Sequence, residues 1–107
     1  MLDIRLYRDP TGREPFAEWL DGLDHQAAAK VATAVRRLGS GSLAEVKSVG
    51  GGVLERRIDW GPGYRVYFAR VGQEVILLLG GGTKKLQQRD IEDAQTRWND
   101  HKRRART

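Results

Sequence analysis

The chain has no cysteine, two histidines, three prolines and no long apolar run, and each shortage removes a class of function. Without cysteine there are no disulfides, no thiolate nucleophile and no cysteine-rich zinc site. His25 and His101 stand far apart in the sequence, too few for a metal cluster without several carboxylate helpers. The longest apolar run, Val75 to Leu79, is strand-sized, well short of the roughly 18 residues a membrane span requires. The opening MLDIRLYRD lacks the apolar segment of a secretion signal, so a cytoplasmic location with no membrane partner is expected. At 107 residues, with 39% hydrophobic and 31% charged side chains, the chain is expected to form one globular domain, residues 1–107, in which about 101–107 is a frayed basic tail.

What is present in excess is positive charge, and it is unevenly placed. Of a formal net charge of +5, residues 1–50 contribute nothing, with seven Lys/Arg against seven Asp/Glu, whereas residues 51–107 hold twelve against seven. Such asymmetry fits an anionic partner for the second half, nucleic acid or an acidic protein segment, and fits a solubilising basic tail equally well.

Asp3 to Tyr7 alternates polar and apolar residues, as a first strand does, and Asp9-Pro10-Thr11-Gly12 makes a turn. A helix begins near Pro15, with Phe16, Trp19, Leu20 and Leu23 at the spacing of one buried stripe, interrupted by Gly22. Asp24 is placed to cap a second helix whose stripe is Ala28, Val31, Ala32, Val35 and Leu38, ending at Gly39 and Gly41. Residues 39–52 read as loop, with no phosphate-cradling GxxxxGK[ST]. The glycine runs 50–52 and 80–82 read as permissive backbone at strand ends, or, for the second, as room left for a large ligand beside Lys84 and Lys85.

Turn chemistry predicts strand register. Gly72-Gln73 as a two-residue hairpin pairs Arg65 with Gly80. With Gly61-Pro62-Gly63 as the preceding loop, Trp60 pairs with Tyr64, Ile58 with Val66 and Arg57 with Tyr67. One face then carries Leu54, Ile58, Trp60, Tyr64, Val66 and Phe68, and the other Glu55, Arg57, Asp59, Arg65 and Tyr67. Strand Val75 to Leu79 is apolar on both faces, as for a strand covered on both sides. A last helix follows Leu86, with Ile91, Ala94 and Trp98 as a thin apolar stripe and Asp93 and Arg97 as a surface ion pair.

GPGYRVYF, LLLGGGTKK and QQRDIEDA together resemble the HigB-like addiction-module killer branch of the RelE/ParE toxin superfamily, over nearly the whole chain. The resemblance implies an α+β fold, in which an N-terminal strand and a two-helix hairpin pack on a mostly antiparallel four-stranded sheet with a C-terminal helix. It implies a toxin neutralised by a cognate antitoxin encoded next to it, which contacts promoter DNA only through that complex. Members of the RelE type are ribosome-dependent endoribonucleases that cut mRNA by 2′-hydroxyl attack on the adjacent phosphodiester, with no cofactor and no metal. By the same resemblance Arg57, Arg65, Lys84 and Lys85 are the expected catalytic residues; Tyr67, Arg89 and Glu55 are the residues expected to bind substrate. That chemistry needs cationic groups for an anionic phosphorane, a proton acceptor and a proton donor.

Two features depart from the pattern. Relatives place a tyrosine or histidine just after the last strand, where this chain reads LQQRDIED, leaving the general acid and base to Glu55, Tyr67 or a lysine. Arg56 stands where the register wants an inward apolar residue, its stem able to run along the core edge. Arg57 between Glu55 and Asp59 also satisfies the description of a surface ion pair, and Tyr67 that of ordinary sheet packing. Three functions stay open at this point: a translation-inhibiting mRNA nuclease, a ParE-like non-enzymatic inhibitor of DNA gyrase, and a non-toxic nucleic-acid-binding module.

Overall fold

A computed structural model describes residues 1–106. Five strands and three helices make up these residues. They are β1 (Asp3–Leu6), α1 (Pro15–Asp21), α2 (His25–Gly39), β2 (Val46–Gly50), β3 (Val53–Ile58), β4 (Tyr64–Val71), β5 (Val75–Thr83), a 3-10 turn (Lys84–Leu86) and α3 (Gln87–Ala105). The strands form one sheet in the order β1-β5-β4-β3-β2. β1 runs parallel to β5 and every other pair is antiparallel. The class is the expected α+β arrangement, with one strand more than the four anticipated.

The extra strand is β2, inside the segment read as loop. Its sequence, VKSVG, is short and half-exposed, so neither alternation nor β-branched density marks it. Pairing with β3 makes it a strand, which is tertiary context overriding a weak local signal. Gly50, Gly51 and Gly52 all have positive φ, at 94°, 64° and 84°, because the tight β2–β3 turn demands a backbone that other residues adopt at a cost.

The sheet is covered on both sides, so the core has two halves. On one side α1 and α2 bury Phe16, Ala27, Val31, Ala34 and Leu38 against Ile58, Tyr64, Val66, Phe68, Ile76 and Leu78. Pro15 opens α1 where its missing N–H costs least. The Asp24 carboxylate caps α2 by accepting from the Ala27 N–H at 2.8 Å. The α2 stripe is centred on Ala27, Val31, Ala34 and Leu38, so it is turned slightly from the expected one, and Ala28, Ala32 and Val35 lie at its half-buried margin. On the other side α3 lays Ala94, Ile91 and Trp98 over Val53, Tyr67, Ala69, Leu77 and Leu79. β5 supplies both halves, as its unbroken apolar run anticipated.

Both hairpin registers differ from expectation, by two residues on β3–β4 and by one and then two along β4–β5. Ile58 pairs with Tyr64 and Arg57 with Arg65, because the β3–β4 loop spans Asp59 to Gly63 rather than three residues. An even shift leaves every side chain on its expected face, so the sorting into an apolar and a charged face stands. On β4–β5 the turn holds three residues, with Val71 opposite Val75, and an irregularity between Tyr67 and Phe68 adds the second step, so Arg65 faces Gly82 instead of Gly80.

Gly80, Gly81 and Gly82 lie within β5, not at its end, and their φ values are ordinary. They are small because their neighbours sit on the backbone. A Cβ on Gly81 would collide with the Trp19 ring, one on Gly82 with the Asp90 carboxylate and one on Gly80 with the Arg97 guanidinium. The space expected for a ligand is therefore filled by the protein's own side chains. Arg97 donates to the Leu79 carbonyl at 2.9 Å, which takes it away from the ion pair anticipated with Asp93.

The C-terminal segment is helical through Ala105, which replaces the expected fraying over residues 101–105. Asp100 accounts for this order. It accepts from the Tyr7 hydroxyl at 2.7 Å, from Arg103 at 2.9 Å and from Arg104 at 2.9 Å, while Arg104 also donates to the Arg8 carbonyl at 2.6 Å. The last residue of that expected tail, Thr107, lies outside the described residues.

Candidate functional site

The charged face of β3 and β4 comes together beneath the start of α3. Glu55 and Tyr67 are opposite each other across the two strands, as are Arg57 and Arg65 one step further toward the loop. Glu55 is 1% exposed, Tyr67 0% and Arg65 8%. α3 is the reason. Gln87, in its first turn, donates from Nε2 to Glu55 Oε2 at 2.9 Å, and Asp90 lies over Gly82. Glu55 and Tyr67, expected to touch substrate, are thus sealed inside this end of the molecule.

The geometry gives Glu55 another task. Its Oε2 lies 3.7 Å from Arg65 Nε, and its Oε1 lies 3.8 Å from the exposed Lys47 Nζ. A buried carboxylate between Gln87 and Arg65 restrains the guanidinium, whose Nη1 would lie 3.7 Å from a Cβ on Gly63 in the β3–β4 loop. Glu55 Oε1, Arg65 Nε and the Tyr67 hydroxyl have no hydrogen-bond partner among the described residues. Buried groups left in that state are costly to a fold. The Tyr67 phenol is pushed well above its ordinary range, chiefly by burial and then by the adjacent Glu55 charge. It therefore stays protonated at any physiological pH. Burial likewise raises the Asp90 carboxyl, the nearby Arg89 opposing it.

Beyond Arg65 the sheet end opens into a hollow of about 410 Å³, lined by Arg57, Asp59, Trp60, the Gly61-Pro62-Gly63 loop, Arg65 and Lys84. Its size falls within the range of roughly 300–1,000 Å³ typical of small-molecule sites. The Lys84 N–H reaches the Gly63 carbonyl at 3.3 Å, which ties the 3-10 turn to the loop. Three of the four residues expected to be catalytic therefore share one cavity. Lys85 is exposed on the same turn and Arg89 on the first turn of α3, and neither is part of the lining. Arg57 is half-exposed and already paired, 3.1 Å from Glu45 and 3.6 Å from Asp59. Of the two surface partners foreseen for it, Asp59 is present, while Glu45 just before β2 takes the place of the buried Glu55. Arg65 differs: its ion-pair partner among the described residues is the buried Glu55, and Arg65, itself 8% exposed, lines the hollow, where burial makes electrostatic attraction stronger than in water.

Reading by sequence alone missed the contributions of Gln87, Lys47 and Trp60. Gln87 and Lys47 act across the sheet from segments whose docking no local pattern encodes. Trp60 carried a signal, an aromatic beside GPG and two residues from the charged strand face, that core packing also explained. Arg56 is buried, as its position demanded. It donates to the Arg57 carbonyl, and its pKa is lowered by burial and by Arg37.

With this geometry in hand, comparison with known proteins assigns the chain to a class. Residues 18–99 match the family of phage derived proteins described as Gp49-like (DUF891). The chain belongs to that family, a toxin–antitoxin-related family of RelE-like toxins. A Haemophilus influenzae protein described as uncharacterized is 41% identical over 81 residues, covering 75% of this chain and 82% of its own length. No helix among the described residues is long and apolar enough to cross a membrane.

Proposed function

We propose that this protein is the HigB-like toxin of a type II toxin–antitoxin module, and that it inhibits translation by cutting mRNA on the ribosome. The carrying observation is the open hollow that Arg65, Lys84 and Arg57 line together. Such an arrangement suits a phosphodiester whose charge increases as the 2′-hydroxyl attacks, because preorganised cations favour the phosphorane over the ground state. Arg65, braced by Glu55, serves as the principal phosphate ligand; Lys84 adds a mobile second cation and a source of the leaving-group proton. Arg57 joins when substrate competes it away from Glu45. Lys85 and Arg89, exposed beside the hollow, contribute attraction along the neighbouring backbone. Asp59, which lines the hollow with Arg57, is the carboxylate placed to accept the 2′-hydroxyl proton. Tyr67 and Glu55 support the site from within and do not touch RNA.

The family supports pairing with an antitoxin, and a basic hollow flanked by apolar surface is what an acidic antitoxin segment would cover. Promoter DNA is contacted through that complex. A second reading, gyrase inhibition without catalysis, is favoured by one observation: Lys84 to Asp90 offers no aromatic or imidazole group for proton transfer. Induction of the toxin followed by primer extension on cellular messages separates the two. Cuts within translated codons, abolished by co-expression of the adjacent antitoxin reading frame, are expected; intact messages with an SOS response would transfer the protein to the gyrase class.

A further inference from the structure

The hollow holds one feature that phosphate binding does not require. Trp60 lines it together with Arg57, Arg65 and Lys84, and is half-buried. Its ring is stacked on Tyr64, with centroids 6.2 Å apart and planes 24° apart, and Tyr64 is in turn met edge-on by Trp19 at 6.3 Å. Tyr64 is 7% exposed, so a buried aromatic column holds the Trp60 indole in place. The tight loop fixes its backbone, with the Trp60 N–H on the Ile58 carbonyl and the Gly63 N–H on the Trp60 carbonyl, each at 3.0 Å. Gly61-Pro62-Gly63 line the same hollow and carry little side-chain bulk. Lys30 Nζ sits 5.9 Å from the ring centroid; it is exposed, so an incoming planar group can displace it while keeping its charge nearby.

A rigid aromatic surface beside clustered cations is the arrangement that holds one nucleotide of a single strand, with the base on the ring and the phosphate on the cations. From this we infer that Trp60 is the base-stacking residue of the site, making the hollow a nucleotide subsite for unpaired RNA. The inference rests on the reading of the hollow as an RNA phosphate site and adds where the base goes. It also accounts for the lack of an aromatic after β5, since the stacking surface comes from the β3–β4 loop.

The test is fluorescence anisotropy with a labelled single-stranded RNA of about ten nucleotides and the same strand made abasic, on the wild type, Trp60→Phe, Trp60→Leu and Lys84→Ala. The wild type is expected to bind the intact strand about 5- to 150-fold more tightly than the abasic one. Trp60→Phe keeps most of that preference and Trp60→Leu loses it. Lys84→Ala weakens both strands alike and lowers the salt slope by about one. Equal binding of the two strands by the wild type, no binding of either, or an unchanged preference in Trp60→Leu overturns the inference. Should Trp60→Leu not fold, the wild-type comparison decides alone. A base preference in a protein that leaves cellular mRNA intact sustains the subsite and removes the nuclease; cleaved mRNA without a base preference does the reverse.

Discussion

The two ends of α3 each close over a buried polar network, and the networks differ in one respect. At the C-terminal end the Asp100 carboxylate is met by Tyr7, Arg103 and Arg104, and Arg104 also lies against the Tyr7 ring, with its guanidinium carbon 5.5 Å from the centroid. At the N-terminal end Glu55, Arg65 and Tyr67 are more deeply buried than Arg103 and Arg104, yet each keeps a polar atom without a hydrogen bond among the described residues. The first network ties the chain ends together, β1 to α3, and has no capacity left over. The second accepts an unsatisfied state that the fold would discard if stability were its purpose. The difference separates an anchor from a support: polar groups spent on each other fix structure, whereas the buried Glu55 stands 3.7 Å from an Arg65 that lines the hollow.

The largest expected effect comes from removing the charges of the open network together. Glu55→Gln combined with Arg65→Gln avoids leaving one buried charge alone, so the unfolding midpoint should stay near the wild-type value. Toxicity and mRNA cleavage should fall by about 10²–10³-fold, the scale for losing one preorganised group that stabilises developing negative charge. Full activity in the double variant would make the open network no more functional than the closed one.

The anchor is expected to fail in the opposite manner. Tyr7→Phe removes the donor to Asp100 and should cost about 1–2 kcal/mol in denaturant unfolding, with cleavage unchanged while the protein is folded. The pH dependence sharpens this. Asp100 is held below the ordinary carboxylate range, first by the Tyr7 hydroxyl and then by Arg104 and Arg103, against the pull of burial. A depressed folded-state pKa gives stability that is complete above the unfolded value of about 4 and lost as the pH falls through the folded one. Asp100→Asn should therefore be less stable than the wild type at neutral pH, the two converging as the pH falls below about 4. A constant gap across that range would show that the carboxylate's charge is not what holds the anchor.

The smallest effect is the matched control. Tyr67→Phe deletes a buried hydroxyl that lies near Glu55 but makes no hydrogen bond of normal geometry among the described residues, so stability should change by less than about 0.5 kcal/mol or rise slightly. Cleavage should persist, because the phenol is sealed from the hollow. A large loss of cleavage at unchanged stability would restore Tyr67 as a proton donor.

The comparison also explains what could be read from the sequence. Faces were legible because side-chain alternation survives an even shift in register: Arg57 and Arg65 stayed together although the β3–β4 hairpin was misjudged by two residues. The helices were legible through Pro15, the Asp24 cap and their apolar spacing. Strand β2 was not, since VKSVG becomes a strand by pairing with β3. Nor was the burial of Glu55 and Tyr67, because nothing in QQRDIEDA tells where α3 docks. The glycines of LLLGGGTKK suggested room for a ligand, whereas Trp19, Asp90 and Arg97 occupy it. Contacts made across the fold, not along the chain, decided which charged residues face solvent.

The most direct test uses purified protein in a reconstituted translation reaction, reading cleavage of a defined message by primer extension with and without ribosomes. The account predicts cuts within translated codons that require ribosomes, are made by the wild type, and fall to background in Glu55→Gln with Arg65→Gln. Intact message with the wild type, or undiminished cutting by the double variant, would contradict it.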